Sequence, residues 1–259
     1  MQRYFIPKEQ FQETIVQIID GDAHHLVNVM RARIGQRVIC SDGQQREALV
    51  EITSLEKNKV EANIVEQLSM TNEPAVVVWI AQSLPKGDKL ETVIQKCTEI
   101  GAARFIPFLS ERTVVQYDEK KEVKLHERWC RIAKEAAEQA HRNRVPIMEP
   151  ILSWKALVKQ IADADLTLIC YEKESGLQLR QLLSEGVSPS SAPDHSSPAH
   201  HRKILVLVGP EGGFSEKEVS EVIAAGGHSI SLGRRILRTE TAAMVALTCI
   251  LYETGEMGA

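Results

Sequence analysis

Two short stretches near the C-terminal end combine residue types that could hold a small ligand and act on it. The first, Gly209-Pro210-Glu211-Gly212-Gly213-Phe214-Ser215, follows the apolar run Ile204–Val208. Its glycines permit positive φ and close approach of a ligand to the backbone, and Ser215 with Glu218 three residues on makes a capping box that starts a helix. The second, Leu232-Gly233-Arg234-Arg235-Ile236-Leu237-Arg238-Thr239-Glu240-Thr241-Ala242, comes just after the next strand-like segment. No Lys followed by Ser or Thr closes the first stretch as in a P-loop, and neither stretch is a GxGxxG dinucleotide fingerprint. Taken singly, each has a plain structural reading: a tight turn, solvated arginines, and Glu240 as an acid suited to a helix dipole. Their repetition at two successive strand ends points to one shared ligand site. Arg234, Arg235 and Arg238 bring positive charge there, and Thr239 is a candidate cap for the final helix.

Such loops need strands and helices to carry them. Beyond about residue 74 the pattern alternates strand with helix, which implies parallel pairing and a sheet covered on both faces. The spacing predicts strands at Ala75–Leu84, Phe105–Leu109, Leu166–Tyr171, Ile204–Val208 and Ser229–Leu232. Helices are predicted at Lys89–Ile100, Glu119–Asn143, Trp154–Ile161, Leu177–Ser184, Glu216–Ala225 and Thr239–Tyr252. In open sheets of this kind ligands bind outside the carboxyl ends of the strands, where both stretches must lie. The final helix carries Ala242, Ala243, Val245, Ala246, Leu247, Ile250 and Leu251 around much of its circumference, so it is expected to be buried on more than one side.

From Met1 to about Met70 the rhythm is different. Tyr4–Ile6, Thr14–Ile19, Arg37–Cys40, Arg46–Leu55 and Lys59–Glu66 read as short strands, with a hairpin signal at Asp42-Gly43. One helix is predicted from Asp22, as N-cap, to about Ala32. A small β-barrel-like domain over 1–70 is the simplest packing, followed by a linker at Ser69–Pro74 and a second domain over 74–259. The stretch Gly186–His201, crowded with Ser, Pro and His, reads as a mobile surface loop inserted in that second domain.

Composition narrows the function classes. Across 259 residues, 43% hydrophobic and 25% charged content is that of a globular chain, not a disordered or fibrous one. The longest nearly unbroken apolar stretch, Ala242–Leu251, is too short for the ~20 residues of a membrane span. No apolar leader follows Met1, so a cytoplasmic location is expected. The five cysteines are scattered without a CxxC pair, which fits neither a disulfide framework nor a zinc ribbon. His195, His200 and His201 lack Cys or carboxylate partners at ligand spacing, so no metal is expected. A net charge of -4 argues against a basic coat over the whole surface, leaving local basic patches as the way to bind nucleic acid.

Taken together, Gly209–Ser215 and Ser231–Ala242 resemble the paired signatures of the SPOUT class of RNA methyltransferases, and within it the RsmE family of small-subunit ribosomal RNA uridine N3-methyltransferases. Lys86-Gly87-Asp88 with Gln95–Gly101 resembles the family's first helix, and Glu138, Gln139 and Arg142 its EQ-x-x-R segment. Arg3-Tyr4-Phe5, His24-His25-Leu26 and Arg31 resemble its RNA-binding, PUA-like barrel. The resemblance spans nearly the whole chain in order, with Gly186–His201 as an apparent insertion.

The resemblance implies an α+β two-domain fold: a PUA-like β-barrel, then an α/β SPOUT domain with a C-terminal deep trefoil knot, an exception to the rule against threaded chains. It implies S-adenosyl-L-methionine as cofactor, held at Gly209, Gly213, Leu232, Gly233, Ile236, Leu237, Arg238 and Thr239, with Glu172 on the rim. The substrate would be a uridine of 16S ribosomal RNA, within the assembled small subunit, and the protein a homodimer through its knotted domain. For catalysis, Arg238 is the candidate for stabilising negative charge and Glu211 for accepting a proton, with water or a phosphate as alternatives. RNA contacts are expected from Arg3, His24, His25, Arg31, Arg33, Lys86, Lys89, Lys96 and Arg142. Alternatives are a SPOUT enzyme acting on another RNA or base atom, a non-catalytic ribosome-assembly factor, or, from the loops alone, a phosphate-binding nucleotide enzyme.

Overall fold

The computed structural model describes residues 1–115, 119–174, 179–185 and 202–258. The expected loop at Gly186–His201 lies outside the described residues, as do Leu177 and Gln178 at the start of one expected helix. The chain divides into two compact units, Met1–Glu73 with Lys134–Val145, and Pro74–Ala133 with Pro146–Ala259. Among the described residues no helix is long and apolar enough to cross a membrane.

In the first unit, β1 (Arg3–Phe5), β2 (Ile15–Ile19), β3 (Arg37–Ser41), β4 (Glu47–Glu56) and β5 (Lys59–Gln67) form one sheet in the order β1-β3-β4-β5-β2. β1 runs parallel to β3 and the other pairs are antiparallel. The two outer strands do not pair with each other, so the expected barrel is an open half-barrel. Register shifts between Leu49 and Val50 and between Ile52 and Ser54 mark bulges, the device that bends a strand around a core. That core includes Tyr4, Val16, Ile18, Leu26, Val38, Val50, Ile52 and Val60. The hairpin signal is realised: Asp42 Oδ1 accepts from the N–H groups of Gln44, Gln45 and Arg46 at 2.8, 2.8 and 2.9 Å, and Gly43 takes φ 69°.

The expected helix over 22–32 is instead α1 (Asp20–His24) running into a π-helical turn at His25–Val29. Asp22 is not its cap. The Asp22 carboxylate accepts from Lys134 Nζ at 2.6 and 2.8 Å, one of several contacts that bring the segment Lys134–Val145 into this unit. Glu138 Oε1 accepts from the Phe5 N–H at 2.9 Å, and Asn143 Nδ2 donates to Glu47 Oε2 at 2.7 Å. The stretch read as a linker is pinned as well: Asn143 Oδ1 accepts from the Asn72 N–H at 2.6 Å, and Glu73 pairs with Arg142. These long-range polar contacts, invisible to periodicity, are why a segment assigned by sequence to the second domain belongs with the first unit.

The second unit is a parallel sheet. Its elements are β6 (Val77–Ser83), α2 (Lys89–Ile100), β7 (Arg104–Leu109), α3 (Glu119–Gln139, whose last residues belong to the first unit), β8 (Ile147–Met148), β9 (Leu152–Ser153), α4 (Trp154–Gln160), β10 (Leu166–Cys170), α5 (Leu179–Glu185), β11 (Lys203–Val208), α6 (Glu216–Ala224), β12 (His228–Ile230) and α7 (Thr239–Glu253). The order is β12-β10-β11-β6-β7-β8, with β9 also on β7. The two-residue strands β8 and β9 are too short to leave a period in the sequence. α4 and α6 bury Leu157, Val219 and Val222 against Ala81, Ile106, Leu205 and Leu207 on one face of the sheet, while α2 and α7 pack on each other and α7 on β11 and β6. Parallel strands with both faces covered must read as continuous apolar runs, as Ile204–Val208 does.

The Glu138 contact yields a test. Burial is the main influence and pushes the Glu138 carboxyl up to about 7, against the Phe5 N–H and Lys134, with Asp22 adding to the rise. The folded state thus holds this proton more tightly than the unfolded chain, where a Glu titrates near ~4.3. Its contribution to stability is full below that value and is lost as pH rises through about 7. Glu138→Gln, which stays neutral and keeps a carbonyl acceptor for Phe5, should gain in melting temperature relative to wild type between about pH 5 and about pH 8. A difference that does not vary with pH contradicts this.

Candidate functional site

Three neighbouring strands, β12, β10 and β11, deliver their carboxyl-end loops to one cleft of about 430 Å³. The loop after β11 contributes Gly209, Pro210, Glu211, Gly213 and Phe214; the loop after β12 contributes Ser231 through Arg238; the end of β10 contributes Cys170, Tyr171 and Glu172; and Lys89 reaches in from α2. All nine positions matched to the cofactor by resemblance, and both catalytic candidates, line this one cleft.

Each loop has a local reason for its shape. Gly213 and Gly233 take φ of +65° and +108°, and a Cβ built on either meets nothing within 4 Å, so the backbone there is open to a ligand. At Gly209 a Cβ would come within 3.2 Å of the Gly213 carbonyl carbon and of the Phe214 ring, so any larger residue would press the loop open there. Phe214 anchors the turn by stacking on Phe108, with centroids 6.3 Å apart and planes 4° from parallel. The predicted capping box is present, with Ser215 and Glu218 each bonded to the other's backbone N–H.

The two loops are joined by buried hydrogen bonds. Thr239 Oγ1 donates to the Gly209 carbonyl at 2.6 Å, and Gln82 Nε2, from the end of β6, donates to Thr239 Oγ1 at 2.8 Å. Thr239 is therefore not the cap of the last helix. Arg238 holds that position without a side-chain cap, and the Thr239 hydroxyl is turned inward to the neighbouring loop. Arg234, Arg235 and Arg238 are exposed. Ile236 is 86% exposed, an apolar side chain that leaves water only if something covers it.

Glu211 sits at the mouth of the cleft. Its carboxylate accepts from Lys89 Nζ at 2.5 Å and from the Lys86 N–H at 3.1 Å. Partial burial works to raise its pKa, but the Lys89 hydrogen bond, the backbone N–H groups of Glu211 and Lys86, and the Lys89 charge outweigh it and hold the carboxyl below its ordinary range. Lys89, expected at an RNA phosphate, is thus committed to Glu211.

The other expected RNA contacts divide in the same way. Arg3 is 5% exposed and pairs bidentately with Glu47 at 2.5 and 2.9 Å, while also donating to the Arg142 carbonyl at 2.7 Å. Arg142 is 4% exposed and pairs with Glu73. Both charges are spent inside the first unit, so both are corrected from RNA contact to structural ion pairs; a buried charge must be paired, and these are. His25 Nδ1 shares a hydrogen bond with the Tyr4 hydroxyl at 2.9 Å, and Lys96 pairs with Glu99 at 2.8 Å. His24, Arg31, Arg33 and Lys86 remain exposed. Sequence reasoning passed over the turn after β7, where Arg112 Nη1 donates to the Gly212 carbonyl at 2.9 Å; the signal available was its place, at a strand end beside β6.

Comparison with known proteins agrees with this geometry. Residues 71–251 match an RNA methyltransferase domain family and residues 18–65 an RNA methyltransferase PUA domain family. The chain is 43% identical over 257 residues to ribosomal RNA small subunit methyltransferase E of Bacillus subtilis (98% of this chain, 97% of that protein) and 33% identical to the protein of that name from Synechocystis (96% and 76%). The crystal structure of a ribosomal RNA small subunit methyltransferase E from Neisseria gonorrhoeae bound to S-adenosyl methionine superposes with a TM-score of 0.83 at 30% identity, covering 97% of each chain.

The Thr239 junction is open to direct test. Thr239→Val preserves side-chain shape but removes two buried hydrogen bonds, leaving Gln82 Nε2 on the Ser83 carbonyl at 3.0 Å and the Gly209 carbonyl on its longer 3.4 Å contact with Gln82, for an expected loss of ~0.5–1.5 kcal/mol in denaturant unfolding. Unchanged stability would mean the hydroxyl does not hold the loops together.

Proposed function

The chain belongs to the ribosomal RNA small subunit methyltransferase E family, and from that premise we propose that it methylates N3 of a specific uridine in 16S ribosomal RNA, giving 3-methyluridine. The observation that carries this reading is the convergence of three strand-end loops on a single cleft containing every matched position. The cleft suits S-adenosyl-L-methionine: Leu232, Ile236 and Leu237 offer apolar walls for an adenine, and the open backbone at Gly213 and Gly233 offers hydrogen bonds. Gly209, Thr239, Arg238 and, at the rim, Glu172 would complete its surround. Bound there, the cofactor supplies an electrophilic methyl group.

The acceptor sets the task for the protein. Uracil N3 is an imide nitrogen that holds its proton at neutral pH and attacks poorly until that proton leaves. Arg238, exposed at the start of α7 and lining the cleft, would stabilise the negative charge that develops on the flanking carbonyl oxygens. Glu211, kept ionised by Lys89, is available as the proton acceptor, although the same depressed pKa makes it a weak base. Because N3 lies on the pairing edge of the base, the uridine must be unpaired or extruded when it reacts.

The remaining parts of the reading concern context. His24, Arg31 and Arg33 on the first unit and Lys86 on the second are the proposed RNA contacts, with the assembled small subunit as substrate. The chain would act as a homodimer through the α/β unit, which would thread its last elements into a trefoil knot. An apolar recess of about 530 Å³ beside α7, lined in part by Leu183, Leu232, Cys249 and Tyr252, supports the dimer. The cytoplasm, where ribosomes assemble, is the proposed location.

Kinetics with undermethylated small subunits test the chemical roles. Arg238→Ala should lower kcat by ~100-fold or more, the usual loss for one electrostatic donor. With Glu211 as acceptor, the acidic limb of the pH profile of kcat/KM lies below the ordinary carboxylate range. Lys89→Met removes the largest of the influences holding that pKa down, the Lys89 hydrogen bond, together with its charge, and leaves the backbone N–H groups, so the limb should move to higher pH. A profile indifferent to Lys89 would assign the proton to another acceptor.

A further inference from the structure

We propose that Arg112 grips a backbone phosphate of the RNA beside the methylation site, from the outer side of the loop whose inner side lines the cofactor cleft. The proposal rests on the function proposed above. Arg112 lies in the turn that leaves β7 at the same sheet edge as the site loops. Its Nη1 donates to the Gly212 carbonyl, and a Cβ on Gly212 would sit 3.3 Å from Arg112 Cβ. Gly212 does not line the cleft, whereas its neighbours Glu211 and Gly213 do. Arg112 therefore stands on the far side of the loop from the cofactor positions.

The turn does not need this charge for its own shape. Glu111 N–H donates to Glu218 Oε1 at 2.8 Å, Ser215 Oγ donates to Glu111 Oε2 at 2.8 Å, and Ser83, Ser110 and Thr113 share hydroxyl hydrogen bonds of 2.8–3.0 Å. These bonds fix the turn to α6 and to the end of β6 without Arg112. Among the described residues no carboxylate takes Arg112 as a direct partner: Glu111 and Glu218 are hydrogen-bonded as just described, and Glu216 pairs with Lys173 at 2.9 Å, feeling the Arg112 charge only as the last of the influences that lower its pKa. No ion pair to Arg112 occurs among the described residues, and the residue is exposed. A guanidinium with one N–H on a carbonyl keeps a fork of donors for a phosphate.

The test uses the full-length protein, S-adenosylmethionine and small ribosomal subunits lacking the modification. Arg112→Gln, which keeps a donor for the Gly212 carbonyl, should weaken subunit binding about 10-fold and flatten the slope of log affinity against log salt by about 0.7 to 0.9. Arg112→Lys should retain the slope, because it retains the charge. Cofactor affinity by calorimetry should stay within about twofold of wild type in both, since the loop is held by other bonds. An unchanged salt slope in the Gln variant would overturn the proposal. So would a loss of cofactor affinity equal to the loss of subunit affinity, which would make Arg112 only a prop for the loop, and so would wild-type protein that fails to bind the subunits. Wild type that binds with the predicted Arg112 dependence yet transfers no methyl group would uphold the contact and overturn the methylation reading instead.

Discussion

The hydrogen bond from Thr239 Oγ1 to the Gly209 carbonyl is the joint on which the site depends. It links the loop after β11 to the start of α7, and Gln82 brings the end of β6 into the same buried junction. Without it the junction would rest on the longer contact of Gln82 Nε2 with the Gly209 carbonyl, at 3.4 Å, and on the packing of α7 against β11. With it, the backbone of one loop and the first turn of the last helix are fixed against each other, and Arg238 is held one residue from a buried anchor. An exposed guanidinium rooted in this way is pre-organised, the condition under which a charge is most useful to a reaction.

The strand order explains why these loops meet at all. β12, β10 and β11 are neighbours in space although α5 and α6 intervene in the chain, so parallel pairing puts all their carboxyl ends on one edge. The helices then close over both faces, and the carboxyl-end edge is where the loops bring open backbone and exposed arginines together. Net acidity is compatible with an RNA substrate in this arrangement, because what matters is local: Arg234, Arg235 and Arg238 are exposed at the cleft, while Lys89 is matched by Glu211. Phosphate contacts position a nucleic acid and need only a few well-placed cations.

Much of this was legible in the sequence, for reasons that can be named. The capping box at Ser215 and Glu218, the hairpin at Asp42-Gly43 and the apolar run Ile204–Val208 are local signals, and each produced the element it implied. The cleft residues were legible because two similar loops follow successive strands. Partners distant in sequence were not legible. Arg3 and Arg142 have the residue type of phosphate ligands, but Glu47 and Glu73 claim them, and only the fold brings those carboxylates close. Lys134–Gln139 continues α3 without a break, and the helix ends there rather than at Asn143 because His141 turns to φ 55°; nothing in this pattern announces that Asp22, Phe5 and Glu47 draw Lys134–Val145 into the first unit. Thr239 looked like a cap because a threonine before a helix usually is one; its inward turn follows from the closeness of Gly209.

The central claim is that these loops form one site for methylating uridine N3 in 16S ribosomal RNA. The most direct measurement is mass spectrometry of that RNA from cells lacking the protein, before and after their small subunits are incubated with purified protein and S-adenosylmethionine. The account predicts a single 3-methyluridine that is missing and then restored. A modification pattern that does not change on deletion would contradict it.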